Sequence, residues 1–138
     1  MASVSHFLAC GMVEFRQSKG VSAALWSGDA DYGWGSGDAF EAQMSNNACI
    51  AQNALVHTAY ERRADLRAYG IYLSDILQYA TYMKKPSDVI ASWGNSTGHR
   101  RMMQCNTTHH AGVAVAKSGG RYCFTIVYER NNYNQSGS

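Results

Sequence analysis

Trp93-Gly94-Asn95-Ser96-Thr97-Gly98-His99-Arg100, followed at 111–116 and 122–128 by Ala111-Gly112-Val113-Ala114-Val115-Ala116 and Tyr122-Cys123-Phe124-Thr125-Ile126-Val127-Tyr128, is the stretch on which the fold of this chain turns. The two later runs are rich in β-branched and aromatic residues and flank Lys117-Ser118-Gly119-Gly120-Arg121, whose glycines are free to take positive φ. They read as a β-hairpin. The head of the stretch reads as the end of a helix. Pro86 suits a first helical turn, Asp88 complements the positive helix end, and Val89, Ile90 and Trp93 share one face. Asn95-Ser96-Thr97-Gly98 is expected to stop that helix.

Upstream, helical patterns dominate. Asp38 is a good N-cap three residues before Glu41, and Phe40, Met44, Ala48, Ala51 and Leu55 form the apolar face of a long helix. Ile71, Ile76, Leu77, Ala80 and Met83 suggest another helix. A first helix begins near Ala9 and runs through Met12-Val13-Glu14-Phe15-Arg16 to Lys19-Gly20. Between Ser27 and Gly37 the glycines Gly28, Gly33, Gly35 and Gly37, with Asp29 and Asp31, predict a loop, which Trp26, Tyr32 and Trp34 are expected to pin to the core, the alternative being that they line a binding surface. Helices first and a hairpin last indicate an α+β class. The chain reads as a single domain over 1–130 with a frayed tail at 131–138.

A chain of 138 residues is long enough to bury its own core, and 46% hydrophobic against 16% charged residues excludes a charge-rich disordered protein. The net charge of +2 is spread along the chain, which leaves no nucleic-acid footprint. No apolar run reaches the eighteen or so residues of a spanning helix. The start, Met1 to Cys10, has a lipoprotein-like ending but lacks a basic start and is too short for a signal peptide. Sequons at Asn95, Asn106 and Asn134 lean towards export. Cys10, Cys49, Cys105 and Cys123 include no C-x-x-C pair. Pairing Cys10 with Cys49 and Cys105 with Cys123 would staple each half of the chain; buried reduced thiols are the alternative.

The stretch 93–100 resembles the W-x-x-S-x-G-H-R signature of the CAP/SCP superfamily of cysteine-rich secretory, antigen-5 and pathogenesis-related proteins, in its short bacterial style. The following spacing agrees: Gly112-Val113-Ala114-Val115 starts thirteen residues after His99, where the family has a Gly-Val-Gly-Val strand. Tyr122 followed by Thr125-Ile126-Val127 resembles the family's closing strands. Upstream, Phe15-Arg16-Gln17-Ser18-Lys19-Gly20 and Leu25-Trp26 are similar to its N-E-x-R-x-x-x-G and L-x-W motifs, with Val13 where the family has Asn. The resemblance implies a three-layer α-β-α sandwich with a small antiparallel sheet flanked by helices. It also implies a cavity between helices and sheet that holds two histidines and two acids, in some members with a divalent metal.

Carried onto this chain, the histidines are His99 and, preceded by Met44 at a longer spacing, His57. Asp75, in Leu73-Ser74-Asp75-Ile76, stands at the place of the family's G-E-N-I acid with a carboxylate one methylene shorter. The second acid has no counterpart between Trp93 and Gly98. His57 and His99 as neutral imidazoles suit zinc, although two ligands imply weak, pH-sensitive affinity and no cofactor is required. Met102-Met103 are expected to pack beneath the histidine loop.

The incomplete acid set favours a secreted binding domain over an enzyme. Its ligand is expected to be a lipid, a sterol, a small amphiphile or a partner protein, held in or near the histidine cavity. The alternatives are a metal-assisted or His/Asp-based hydrolase using His57, Asp75 and His99, and an interaction module with a degenerate cavity that presents Trp26 to Trp34. Cys105 with His109 and His110 makes a poor metal site, because adjacent strand residues point to opposite faces. Ser74 or Ser96 with His99 and Asp75 lacks a nucleophile elbow.

Overall fold

The computed structural model describes residues 2–21, 25–29, 37–55, 72–82, 85–105 and 108–130, with side chains placed at 4–21, 40–55, 79–82, 85–105 and 111–128. In chain order the elements are α1 (Ala2–Ser18), β1 (Leu25–Asp29), α2 (Gly37–Gln52), β2 (Tyr72–Tyr82), α3 (Pro86–Gly94), α4 (Thr97–Met103), β3 (Thr108–Ser118) and β4 (Arg121–Arg130). The strands form one sheet in the order β1-β3-β4-β2. β4 is antiparallel to both its neighbours, β3 and β2, and β1 adds a parallel edge strand beside β3.

The hairpin lies where the composition places it. Ser118 pairs with Arg121 across a two-glycine turn, and Gly119 takes φ 63°, which a residue with a Cβ resists. Alternation along the hairpin then sends side chains to two faces. Ala111, Val113 and Val115 with Phe124, Ile126 and Tyr128 face one side, where they pack with Leu8 and Met12 of α1, Val89, Ile90 and Trp93 of α3, and Met103 of α4. Thr125, between Phe124 and Ile126, points the other way and meets α2 through Asn46. The result is an α+β sandwich of three layers: α2, the sheet, and the α1–α3–α4 group. α1 lies close on α3, since a Cβ on Gly11 would come within 3.2 Å of Ile90 and one on Gly94 within 3.1 Å of Phe15.

The structure corrects several expectations. Residues 72–82 form a strand, not a helix, with Asp75 to Tyr82 in unbroken antiparallel register against Tyr128 to Arg121. α1 starts at Ala2 instead of near Ala9, because Ser5, Leu8, Met12 and Arg16 are all buried at helical spacing. The expected loop after Ser27 begins later, since Leu25–Asp29 pairs with β3. α3 ends at Gly94, and Thr97 and Gly98 open α4 instead of terminating the helix before it.

α2 shows the largest rotation from expectation. Phe40, Met44 and Leu55 are 55%, 39% and 50% exposed, whereas Glu41, Ala42, Ser45, Asn46 and Cys49 are buried. The helix therefore turns a small and polar face to the sheet. The expected disulfides are not formed, because Cys10 is exposed on α1 while Cys49 is buried against the opposite face of the sheet beside Cys123. Tyr32, Trp34, His57 and the tail 131–138 lie outside the described residues.

Candidate functional site

His99 is the third residue of α4 and is partly exposed. The segment that carries it is fastened at both ends. At its start α3 is well capped: Pro86 occupies the first turn and the Lys85 amide donates to the Asp88 carboxylate at 3.4 Å. Trp93, 1% exposed, anchors the last turn of α3 in the core. Arg100 reaches back to donate to the Gly94 carbonyl at 3.2 Å, and its amide donates to Ser96 O at 2.8 Å. The first bond satisfies a carbonyl that the end of α3 leaves open, and the second is the opening backbone bond of α4.

At the end of α4 the clamp is Arg16. Its Nη1 donates to Met103 O and to Cys105 O, each at 2.9 Å, so a fully buried guanidinium closes the C-terminus of the histidine helix. Burial lowers the Arg16 pKa from its ordinary value, while Tyr128 and Cys105 oppose that shift. Sequence comparison touches Arg16 only as part of the first-helix motif. Its role as a clamp shows only when α1 and α4 are packed together.

Asp75 is placed in β2 with its backbone opposite Tyr128. Its side chain, His57, and the side chains of His109 and His110 lie outside the described residues. Among the described residues no three His, Cys, Asp or Glu side chains converge as metal donors, and those residues do not by themselves make a zinc site.

A different feature is open to a ligand. A cleft of about 360 Å³ lies between the first half of α1 and the start of α3. Phe7, Cys10, Gly11 and Pro86 supply apolar lining, and Glu14, Lys85 and Ser87 supply polar groups. Phe7 is 62% exposed, and the ring of His6 meets its edge at 6.0 Å between centroids. Cys10 Sγ contacts His6 Nε2 at 3.5 Å. A second hollow of about 260 Å³ involves Ile50, Asn53, Tyr82, Ser118 and Arg121, but there Arg121 is already bonded to Asn53. Phe7 was not singled out from sequence. Its exposure breaks the helical stripe Leu8–Met12, and that mismatch is the signal that marks it.

By sequence, the chain matches no family model and no curated protein. By structure, it is similar to an outer surface protein from Borrelia burgdorferi, with TM-score 0.69 and 13% identity over 92% of each chain. It is similar to a cysteine-rich secretory protein from Staphylococcus aureus, with TM-score 0.61 and 17% identity, over 91% of this chain and 38% of that one. An extracellular protein containing an SCP domain from Bacillus anthracis matches with TM-score 0.52 and 13% identity, over 91% of this chain and 40% of that one. The chain therefore spans well under half the length of the last two. The fold is CAP/SCP-like, as the stretch around His99 implies.

Proposed function

We propose that the chain is an exported CAP-type binding domain that takes the apolar tail of a small amphiphile, such as a fatty acid or a lysolipid, in the cleft between α1 and α3. The observation that carries this reading is Phe7, a large apolar side chain left 62% exposed in the lining of a concave surface. Apolar area held out at a cleft is stabilised when a ligand covers it, by about 25 cal/mol per Å² removed from water. At about 360 Å³ the cleft is near the lower end of the range for small-molecule sites. Lys85 in the lining offers a cation for an acidic headgroup, and Pro86 and Gly11 offer a surface without long side chains for the tail.

Export is supported by the structurally similar proteins, which are described as outer surface, secretory and extracellular. Among the described residues no helix is long and apolar enough to cross a membrane. Calorimetric titration with lauric acid below its micelle concentration tests the reading. Saturable binding that Phe7→Glu abolishes is the expected result. Equal binding by the parent and by Phe7→Glu, or none by either, would reject this cleft as the site.

A further inference from the structure

Along its buried face α2 meets β4 in three successive steps. Thr125 Oγ1 donates to Asn46 Oδ1 at 2.5 Å. Just beyond the other end of the helix, Arg121 Nη1 donates to Asn53 Oδ1. Between these two rungs lie Cys49 on the helix side and Cys123 on the strand side, both with no exposed surface.

The register is coherent. Moving from Asn46 to Asn53 advances about 10 Å along a helix, and moving from Thr125 to Arg121 advances about 13 Å along a strand. Helix and strand therefore run antiparallel, nearly in step. Cys49 is one turn after Asn46, and Cys123 lies on the same sheet face as Thr125. Ala80 and Ala116 flank Cys123 on the neighbouring strands, so small side chains surround the place where the two sulfurs approach. Cys49 is near enough to Cys123 to act directly on its thiol.

We propose that Cys49 and Cys123 are the disulfide-forming pair of this protein, a cross-link that ties α2 to the central strand of the hairpin in an oxidising compartment. The co-reactant is a disulfide, either a small-molecule one such as oxidised glutathione or that of a thiol–disulfide exchange protein. One cysteine thiolate attacks a sulfur of the oxidant and expels one thiol. The second thiolate then attacks the mixed disulfide, closes the Cys49–Cys123 bond and expels the other thiol. Two cysteine thiols are oxidised, and one disulfide is reduced to two thiols that carry both protons.

Burial, reinforced by the contact with Cys49, pushes the Cys123 thiol up to about 12, with Arg121 opposing. Once the pair is covered, that sulfur holds almost no thiolate at neutral pH, so the exchange belongs to the folding chain. Cys10, exposed on α1, and Cys105, whose carbonyl is held by Arg16 of α1, stay outside the reaction. The inference is independent of the ligand cleft.

The experiment is refolding of the reduced chain from guanidinium chloride in a glutathione redox buffer, followed by alkylation of free thiols and peptide mapping without reductant. The expected product is one linked pair of peptides carrying Cys49 and Cys123, two hydrogens lighter than the separate peptides, with Cys10 and Cys105 alkylated. Cys10→Ser and Cys105→Ser should retain the link, and its formation should raise the denaturant midpoint relative to the reduced protein. Alkylation of both Cys49 and Cys123 in the refolded parent protein overturns the proposal. So does a cross-link from either residue to Cys10 or Cys105. Both outcomes are read on the parent chain, so the proposal stays open to refutation even where a Cys49 or Cys123 variant fails to fold.

Discussion

Arg16 and Cys105 are 89 positions apart, yet Arg16 Nη1 lies 2.9 Å from the Cys105 carbonyl and equally close to that of Met103. One guanidinium, donated from the end of α1, thus closes the helix that carries His99. Arg16→Met removes both charge-assisted bonds and leaves buried carbonyls without their donor, at a cost of about 3 kcal/mol. Arg16→Lys keeps the charge but loses the rigid fork, and should recover about half of that. Urea unfolding at unchanged m-value measures both. Hydrogen exchange at the Gln104 amide, which donates to Arg100 O, should accelerate in Arg16→Met and so locate the damage in α4.

Trp93 and Phe7 separate stability from binding. Trp93 is 1% exposed in the shared core of α1, α3, α4 and the hairpin, so Trp93→Ala should destabilise by about 3–5 kcal/mol. Phe7 is 62% exposed, and Phe7→Ser should change stability by no more than about 0.5 kcal/mol while removing amphiphile binding. Thermal and chemical denaturation of the two variants checks the contrast.

The Asn46–Thr125 contact couples α2 to the sheet through polar atoms. Among the described residues Asn46 Nδ2 has no hydrogen-bond partner, so the amide is anchored through its oxygen. Thr125→Val strands that oxygen in the interior, at a cost of about 1–3 kcal/mol. Asn46→Leu combined with Thr125→Val removes donor and acceptor together and should be less destabilised than the sum of the two single variants. A double-mutant cycle in urea measures the coupling.

The raised pKa of Cys123 makes the reduced protein sensitive to alkali. Its thiol is shifted from 9.0 to about 12 in the folded state, first by burial and then by Cys49. Between those values the unfolded chain has lost the proton and the folded chain still holds it. Stability is therefore complete below about pH 9 and falls as pH rises towards 12, by at most about 1.4 kcal/mol per pH unit from this group. Unfolding midpoints of the reduced protein from pH 8 to 10.5 should decline more steeply than those of Cys123→Ala.

What was legible in the sequence depended on whether apolar pattern and burial coincide. They coincide in the hairpin, where Val113, Val115, Phe124 and Ile126 alternate and Gly119 marks the turn, and in α3, where Val89, Ile90 and Trp93 share a face. They part in α2, because the Asn46 side-chain oxygen accepts from Thr125 and small residues let the helix lie close to the sheet, leaving Phe40 and Met44 outside. They part again at 72–82, where the apolar spacing of Ile76, Leu77 and Ala80 suits a helix, yet antiparallel pairing with β4 decides the outcome. Of the candidate site, the placement of His99 just beyond the helix that carries Trp93 was legible through its flanking motif, whereas the short helix that holds it was not. The Arg16 clamp and the Cys49–Cys123 approach were not, because each joins residues brought together only by packing of separate layers.

The most direct measurement of the central claim is a crystal structure of the protein soaked or grown with a terminally brominated fatty acid, read by bromine anomalous scattering. The account expects one bromine peak in the cleft between α1 and α3, beside Phe7, Gly11 and Pro86, that vanishes in Phe7→Glu. A peak beside His99 with the cleft empty, or no peak at concentrations that saturate binding in solution, would contradict it.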